Sequence, residues 1–265
     1  MKKKEIINYI TGWLNSNCEK SGMKGFVIGV SGGIDSALTS TLCALTKKPV
    51  IVLNMPILQH KTQFDLAAKH IEWLKKKFPN VSSYEINLTD VFMKTQETFP
   101  KEIQDAHTMA NTRSRLRMIA LYGFSTHCRY LVAGTGNKVE DFGVGFYTKY
   151  GDGGADISPI ADLMKSEVYA LAHELGVIPE ILAAAPVDGL WADNRTDEDQ
   201  IGASYGELEW AMRHLEEKVK GKKQTAKVSK RQKEVLEIYQ RFNKMNQHKM
   251  KPIPICSIPE KLKRG

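Results

Sequence analysis

The stretch GFVIGVSGGIDSALTS, residues 25–40, joins an apolar run to a serine–glycine turn and a helical pattern. A strand, a glycine-rich turn and a helix in this order direct backbone N–H groups and a helix N-terminus at an anion. Ser31 and Ser36 add hydroxyl donors, while Gly32 and Gly33 lack the Cβ atoms that would keep phosphate oxygens away. These residue types at this spacing predict a phosphate-binding loop.

Asp35 is the unexpected member of this loop, because a carboxylate repels phosphate unless a cation lies between them. Mg²⁺ joins carboxylates and phosphate oxygens in this way. The loop is not a Walker A motif, since it lacks GxxxxGK[ST] and its lysine, and it is not the GxGxxG dinucleotide fingerprint. The alternative is that Asp35 caps the helix and the glycines only form the turn. On this stretch alone both interpretations stand.

Strand and helix patterns alternate around this loop. Apolar runs predict strands at Phe26–Val30, Val50–Leu53, Ser83–Leu88 and Tyr130–Ala133, and helical spacing predicts helices at Ser36–Leu45, Thr62–Lys77, Glu102–Cys128 and Asp162–Leu175. Such alternation indicates an α/β fold with a doubly wound parallel sheet and helices on both faces, followed by a helical C-terminal part. Ligands of these sheets bind beyond the carboxyl ends of the strands, where the loop lies.

The composition limits the class of protein. The chain has 265 residues, of which 42% are hydrophobic, which suits a single domain spanning residues 1–265. No apolar run is long enough to span a membrane, so no membrane partner is expected. Four scattered cysteines without CxxC spacing favour a reducing, cytoplasmic location. A net charge of +8 favours an acidic partner, either nucleic acid or a polyphosphate ligand.

Three segments predict irregular structure. The first two are GVGFYTKYGDGGADISP (residues 143–159) and PVDGLWADNRTDEDQIG (residues 186–202). Loops of this length in a compact domain are more often functional than idle. Their glycine and aspartate content allows large φ/ψ changes, so we expect residues 143–156 and 186–202 to move and to close over bound ligands. The Pro-rich segment 252–265 predicts a C-terminal strap with freedom to move.

The motif SGGIDS resembles the SGGxDS pyrophosphate loop of ATP-pyrophosphatases, which split ATP into AMP and pyrophosphate. Residues 134–168, GTGNKVEDFGVGFYTKYGDGGADISPIADLMKSEV, closely resemble the core of the ammonia-dependent NAD synthetases within that superfamily. The blocks NTRSRLRM and NQHKMKP match two further parts of the family pattern. The similarity spans nearly the whole chain, and the TKYGDGGAD block is highly specific.

The resemblance implies an adenine nucleotide alpha hydrolase-like fold and the amidation of deamido-NAD with ammonia. ATP is the co-substrate and Mg²⁺ the metal. The nicotinate carboxylate attacks the α-phosphorus of ATP to release pyrophosphate, and ammonia then displaces AMP from the acyl-adenylate to give NAD. The family also implies a homodimer that binds small molecules and no nucleic acid.

Site residues follow by matching positions to the family pattern. The ATP phosphate loop consists of Gly29, Val30, Ser31, Gly32, Gly33, Ile34, Asp35 and Ser36. Asp35 and Glu140 match the Mg²⁺ ligands, and Thr135 and Lys165 match residues that contact ATP. Asp35, Glu140 and Lys165 are therefore predicted to be catalytic. From residue type alone, Thr135 also fits a helix N-cap, and Glu140 and Lys165 also fit ordinary solvated charges.

A second group of matching positions concerns deamido-NAD. Its residues are Arg115, Lys149, Asp156, His248 and Lys249. A substrate with a pyrophosphate bridge and a nicotinate carboxylate needs several cations. Asp152 and Asp156 flank a Gly-Gly pair, and either is a candidate catalytic carboxylate that attracts ammonium and helps to deprotonate it. The alternative for both aspartates is turn formation.

One departure and two rival functions remain open. Many family members carry Thr or Ser after the proline that matches Pro186, whereas this chain has Val187, so that hydroxyl contact with ATP is absent and the adenine pocket stays unassigned. A tRNA-modifying ATP-pyrophosphatase, such as a lysidine synthetase or a thiolase, would account for the basic C-terminal region but not for TKYGDGGAD. A non-catalytic ATP-binding sensor would not need Asp35, Glu140 and Lys165.

The nitrogen source is expected to be ammonia. Glutamine use needs an amidase site with its own nucleophile and a domain to hold it. The phosphate loop begins at Gly29, after one predicted helix, and the chain ends in the short strap, so we expect no such domain.

Overall fold

The computed structural model describes residues 1–59, 61–187, 196–221 and 227–264. Within these residues the strands are β1 Gly25–Gly29, β2 Val50–Asn54, β3 Val81–Glu85 and β4 Tyr130–Val132. The α-helices are α1 Lys3–Lys20, α2 Ile34–Leu45, α3 Lys61–Lys77, α4 Thr89–Thr98, α5 Ala106–Cys128, α6 Lys165–Glu174, α7 Pro179–Leu182, α8 Asp197–Ile201, α9 Tyr205–Val219, α10 Lys230–Met250 and α11 Glu260–Lys263. A 3₁₀ turn spans Lys101–Ile103, and a π-helical turn spans Val139–Val144.

The four strands found among the described residues pair in parallel in the order β3-β2-β1-β4. The chain moves outward from β1 through β2 to β3 and then returns to place β4 on the other side of β1. The carboxyl ends of β1 and β4 therefore meet at a topological switch point, where open α/β sheets bind their ligands. The predicted doubly wound parallel sheet is confirmed.

Both faces of the sheet are covered by helices. Phe26 and Ile28 of β1 pack into a core formed with α1, α2 and α6, whereas Val27 faces the opposite core with Phe92 of α4 and Met109 of α5. Strands buried on both faces explain the continuous apolar runs in β1 and β2, because neither side needs polar residues.

A third core supports the helical C-terminal part. It joins the π-helical turn to α9 and α10 through Val139, Val144, Leu208, Val235 and Tyr239. The strap keeps its side chains exposed up to residue 264, with α11 as its short helix. Whether it moves, and whether residues 1–265 act as one domain, stay predictions. No helix in the described ranges is long and apolar enough to cross a membrane.

The region before α5 differs from the sequence-based expectation. Strand β3 begins two residues earlier than predicted, and Ile86 to Leu88 instead lead into α4, which the sequence analysis missed. Phe92 is the buried residue of this short helix, so it carries little periodic signal. Helix α5 begins at Ala106 because the Asp105 side chain accepts a hydrogen bond from the Thr108 N–H and caps the helix.

His70 on α3 is a buried titratable group behind the phosphate loop. Its Nε2 lies 3.0 Å from Ser40 Oγ on α2, and its ring stacks on Trp73 with centroids 5.4 Å apart. Burial lowers the pKa of His70 to about 4. The folded protein therefore keeps this imidazole neutral at pH values where an unfolded chain would protonate it.

We predict that His70 makes folding sensitive to mild acid. The unfolded chain binds the proton with a pKa near 6.5, so the free energy of unfolding falls as pH drops from about 6.5 toward 4. His70→Gln keeps a donor or acceptor near Ser40 without titrating. Between about pH 7.5 and about pH 5 the wild type should lose about 2 kcal/mol more than this variant in urea unfolding.

The matched control is His107→Gln, because His107 is exposed on α5. This control should lose stability with acid as the wild type does. An equal acid-induced loss in His70→Gln and the wild type would contradict the assignment of this effect to His70.

Candidate active site

The predicted phosphate loop connects β1 to α2 at the switch point. The Ser36 hydroxyl accepts a hydrogen bond from the Ser31 N–H at 3.2 Å and donates to the Gly33 carbonyl at 3.0 Å. Gly32 has φ 88°, and a Cβ there would lie 2.8 Å from the Gln63 carbonyl oxygen of α3. The fold itself thus requires glycine at position 32, in addition to any space that a ligand needs.

Asp35 does not cap α2, so the capping alternative is wrong. The N-cap is Gly33, without a side-chain hydrogen bond, and Asp35 lies in the first turn. Its carboxylate instead contacts Lys165, the first residue of α6, whose Nζ lies 2.5 Å from Asp35 Oδ2 and 3.2 Å from Glu140 Oε1. The lysine side chain is only 4% exposed. Helix α2, the π-helical turn and helix α6 therefore bring their charged side chains together near the carboxyl ends of β1 and β4.

The electrostatics of Lys165 follow from this arrangement. Burial by itself lowers the pKa of a lysine, but the Asp35 and Glu140 carboxylates outweigh burial and raise the pKa of Lys165 above its usual range. The side chain is therefore an ammonium at neutral pH. Removing the ammonium would leave the two carboxylates without a counter-charge, and removing the carboxylates would leave the ammonium without one. Water has little access to this site to compensate for either loss.

Asn137 is fully buried and links the Asp35 carboxylate to the backbone of the turn that carries Glu140. Its Nδ2 donates to Asp35 Oδ1 at 3.2 Å, while its Oδ1 accepts from the N–H groups of Val139 and Glu140 at 3.1 and 3.2 Å. The orientation of the amide is fixed, since only its oxygen can accept the two backbone bonds. Asn137 thereby sets the position of the π-helical turn that carries Glu140.

A cavity of about 230 Å³ opens beside this cluster. It is lined by the phosphate loop and by Thr135, Glu140, Asp141, Asp152, Lys165 and Val187, among others. Asp141 fits here because Gly136 has no side chain; a Cβ at Gly136 would lie 2.1 Å from Asp141 Oδ1. Burial, with the neighbouring Glu140 charge, raises the pKa of Asp141 to about 8.

Asp152 and Asp156 both have hydrogen-bond partners in the protein. Asp152 Oδ1 accepts from the Ser114 hydroxyl at 2.7 Å and from the Thr148 N–H at 2.9 Å, which holds the turn of residues 148–152. Asp156 accepts from the Val132 N–H at 2.8 Å and from the Tyr122 hydroxyl at 3.1 Å. Of the two aspartates, Asp152 is the one that lines the cavity.

The predicted substrate cations converge beside the cavity. Arg115 Nε donates to the Lys149 carbonyl at 3.4 Å, and Lys149 Nζ donates to the His248 carbonyl at 2.8 Å. Lys249 Nζ donates to the Tyr147 carbonyl at 2.7 Å. Their partners here are backbone carbonyls, which hold the side chains without neutralising their charge. We call Arg115, Lys149, His248 and Lys249 the cation cluster.

Sequence reasoning missed several residues of the site. They are Asn137, Asp141, Asp197, Tyr205 and Glu209, together with Arg117, which lines the cavity and donates from Nε to the Met55 carbonyl at 3.0 Å. Glu209 accepts from the N–H and hydroxyl of Ser166, both at 2.8 Å, and so holds the residue after Lys165. The available signal was the four-residue spacing of Tyr205 and Glu209, which places them on one face of α9.

The second predicted loop lies partly outside the described residues, since 188–195 are not described. Its described ends reach the site: Val187 lines the cavity, and Asp197 at the start of α8 lies 3.1 Å from the Tyr205 hydroxyl. Opening or closing of this loop stays a prediction.

Comparison with known proteins finds one family and several relatives. The NAD synthase family model matches residues 6–253. The NH3-dependent NAD+ synthetase of Methanosarcina acetivorans is 34% identical over 253 residues, covering 94% of this chain and 96% of the relative.

Two solved structures are also similar. An NMN synthetase from Francisella tularensis superposes with TM-score 0.81 at 31% identity, covering 97% of this chain and 100% of that one. An NH3-dependent NAD synthetase from Campylobacter jejuni gives TM-score 0.78 at 26% identity with the same coverage.

We predict that Lys165 is required for the stability of this site. Lys165→Met keeps the length of the side chain and leaves the Asp35 and Glu140 carboxylates buried without a cation. The free energy of unfolding at neutral pH should fall by about 3–5 kcal/mol, measured by urea denaturation. The double variant Lys165→Met/Asp35→Asn should recover part of this loss, because one of the unpaired charges is gone.

Lys69→Met is the control, since Lys69 pairs with Glu180 at 3.3 Å on the surface. That pair should contribute less than about 1 kcal/mol. Similar losses for the two single variants would contradict a structural role for the buried ammonium.

Proposed function

Because the chain belongs to the NAD synthase family, we propose that it amidates deamido-NAD with ammonia and ATP to give NAD, AMP and pyrophosphate. The observation that carries this proposal is the meeting of the phosphate loop, Asp35, Glu140 and Lys165 at the switch point of the sheet. A tRNA-modifying enzyme or a sensor would not account for the cation cluster and this constellation together.

ATP binding is assigned to the phosphate loop, with Thr135 and Lys165 completing the wall of the cavity. The N-terminus of α2 favours the triphosphate. Lys165 carries a fixed positive charge that offsets the charge developing on the leaving pyrophosphate. The chain thus holds the α-phosphorus where the nicotinate carboxylate can approach in line.

Mg²⁺ fits the donor set of Asp35 and Glu140. This ion is usually held by one or two carboxylates together with substrate phosphates, and not by a complete protein cage. Bound Mg²⁺ would supply charge neutralisation for the phosphates. Asn137 would keep the two carboxylates at a fixed separation through its bonds to Asp35 and to the Glu140 N–H.

The dinucleotide is assigned to the cation cluster together with Asp156. These cations lie beside the cavity and not in its lining, so they suit the part of a long substrate that extends beyond the reacting carboxylate. A pyrophosphate bridge needs several cations, whereas a single phosphate needs fewer.

The ammonia step is assigned to Asp152, the one of the two candidate aspartates that lines the cavity. Its carboxylate would attract ammonium and accept a proton before nitrogen attacks the acyl carbon. Asp156 remains the weaker candidate for this role, because both its oxygens already accept hydrogen bonds from the protein.

A second candidate substrate is the nicotinate mononucleotide. The observation that favours it is the likeness to the NMN synthetase structure, at TM-score 0.81. The cation cluster favours the dinucleotide, so we rank the mononucleotide second.

We further propose a cytoplasmic homodimer. Val91, Met93 and Ile119 on α4 and α5 are exposed apolar side chains that suit contact with a second copy. All four cysteines are within the described residues and are free, as expected in a reducing compartment.

We predict that the protein forms NAD and AMP in equal amounts from deamido-NAD, ATP, Mg²⁺ and ammonium chloride. Chromatography of the nucleotides measures both products. Parallel reactions replace deamido-NAD by nicotinate mononucleotide, or ammonium by glutamine. The value of kcat/KM should be higher for the dinucleotide, and glutamine should not support the reaction. ADP in place of AMP would contradict the proposal, and a preference for the mononucleotide would select the second candidate.

We also predict that Asp35→Asn and Glu140→Gln each lower kcat by at least about 100-fold while the protein stays folded. Each variant removes one charge from the proposed Mg²⁺ site, and the loss falls on the charge-separating step. Raising Mg²⁺ should restore part of the rate. The exposed variant Glu180→Gln is the control and should keep the wild-type rate. Near wild-type turnover of either site variant at low Mg²⁺ would exclude that residue as a ligand.

A further inference from the structure

Tyr205, the first residue of α9, contacts three charged side chains of the cluster. Its hydroxyl lies 2.5 Å from Glu140 Oε1 and 3.1 Å from Asp197 Oδ2, and its ring centroid lies 4.5 Å from Lys165 Nζ. The residue is only 5% exposed and is not part of the cavity lining. It therefore contacts the charged side chains without facing the cavity, and it offers no surface that a substrate could touch.

The direction of the main hydrogen bond is fixed by chemistry. An ionised carboxylate can only accept, and a tyrosine hydroxyl has one proton, so Tyr205 donates to Glu140, the nearer of its two carboxylate neighbours. A phenol is un-ionised at neutral pH, so the hydroxyl remains a donor.

The position of Tyr205 is set by α9 and not by the cluster. Ser204 caps the helix through the Glu207 N–H, and the Tyr205 N–H donates to Glu198 Oε1 at 2.7 Å. The ring packs in the third core with Leu208 and Tyr239. Glu140, in contrast, lies on a short π-helical turn followed by glycines, so it depends on outside contacts for its orientation.

We propose that Tyr205 is a positioning residue that orients Glu140 for the cation that accompanies the nucleotide phosphates. This inference rests on the proposed function. Lys165 and Tyr205 both contact Glu140 Oε1, which restricts rotation of the carboxylate. If a divalent cation binds Glu140 and weakens its contact with Lys165, the hydrogen bond from Tyr205 still holds the Glu140 carboxylate in place. Such partners of metal ligands typically contribute about 10–100-fold in metal affinity.

The contrasting possibility is that Tyr205 only fills the core. Tyr239 supplies the matched comparison, because it is 6% exposed in the same core and its hydroxyl forms no hydrogen bond with the described residues. Tyr239→Phe and Tyr205→Phe each remove one hydroxyl and keep the ring. Only the second removes a bond to a proposed metal ligand.

The experiment measures Mn²⁺ affinity by electron paramagnetic resonance in the presence of α,β-methylene-ATP, which cannot release pyrophosphate. Tyr205→Phe should weaken Mn²⁺ binding about 10-fold or more. Tyr239→Phe should stay within about twofold of the wild type. Urea unfolding of both variants accompanies the titration. Equal Mn²⁺ affinities in the two variants would overturn the proposal, as would unfolding of Tyr205→Phe under conditions where Tyr239→Phe stays folded.

A double-mutant cycle tests whether Tyr205 acts through Glu140. In a Glu140→Gln background, Tyr205→Phe should weaken Mn²⁺ binding by no more than about twofold further, because the carboxylate that it orients is gone. A full additional loss in that background would place its effect elsewhere and reject the mechanism.

Turnover of the wild type distinguishes a failure of the proposed function from a failure of the proposed role of Tyr205. If the wild type forms no NAD from deamido-NAD, the proposed function fails whatever the variants do. If it does form NAD while Tyr205→Phe and Tyr239→Phe bind Mn²⁺ alike, only the role of Tyr205 fails.

Discussion

The ammonium of Lys165, buried between the carboxylates of Asp35 and Glu140, is the interaction on which this molecule depends. Buried charges persist only when they are paired with good geometry and further hydrogen bonds. Three separate elements must therefore meet: the first turn of α2, the π-helical turn and the start of α6. Asn137 and Tyr205 supply the additional bonds from two other directions. The cost of an unpaired charge thus helps to specify how the C-terminal helices sit against the sheet.

The same arrangement explains why this edge of the sheet suits phosphate chemistry. Parallel strands in the order β3-β2-β1-β4 leave a crevice where β1 and β4 end, and the loop after β1 lines it. A triphosphate that enters brings negative charge to a lysine whose positive charge is already fixed. The cation cluster lies next to this crevice, and we propose that it compensates the charges of the second, anionic substrate. Under this proposal the two nucleotides approach one another with less repulsion than they would meet in water.

Much of the fold and part of the site could be predicted from the sequence. The buried strands β1 and β2 are continuous apolar runs, and the phosphate loop carries its chemistry in adjacent residues. The burial of Lys165 could not be predicted from the sequence pattern. A lone lysine on a helix is usually solvated, and the residues next to Lys165 give no sign that it is buried. Tyr205 is distant in sequence from Glu140, and its role exists only once α9 packs against the π-helical turn. Helix α4 was missed because a single fully buried residue, Phe92, gives no period.

The most direct test of the central claim follows one oxygen atom through the reaction. Deamido-NAD labelled with oxygen-18 in its nicotinate carboxylate is converted in the presence of ATP, Mg²⁺ and ammonium, and the products are analysed by mass spectrometry. If the carboxylate attacks the α-phosphorus held at the switch point, each AMP formed carries one labelled oxygen and the pyrophosphate carries none. Label in pyrophosphate or in inorganic phosphate, with unlabelled AMP, would contradict adenylation at this site.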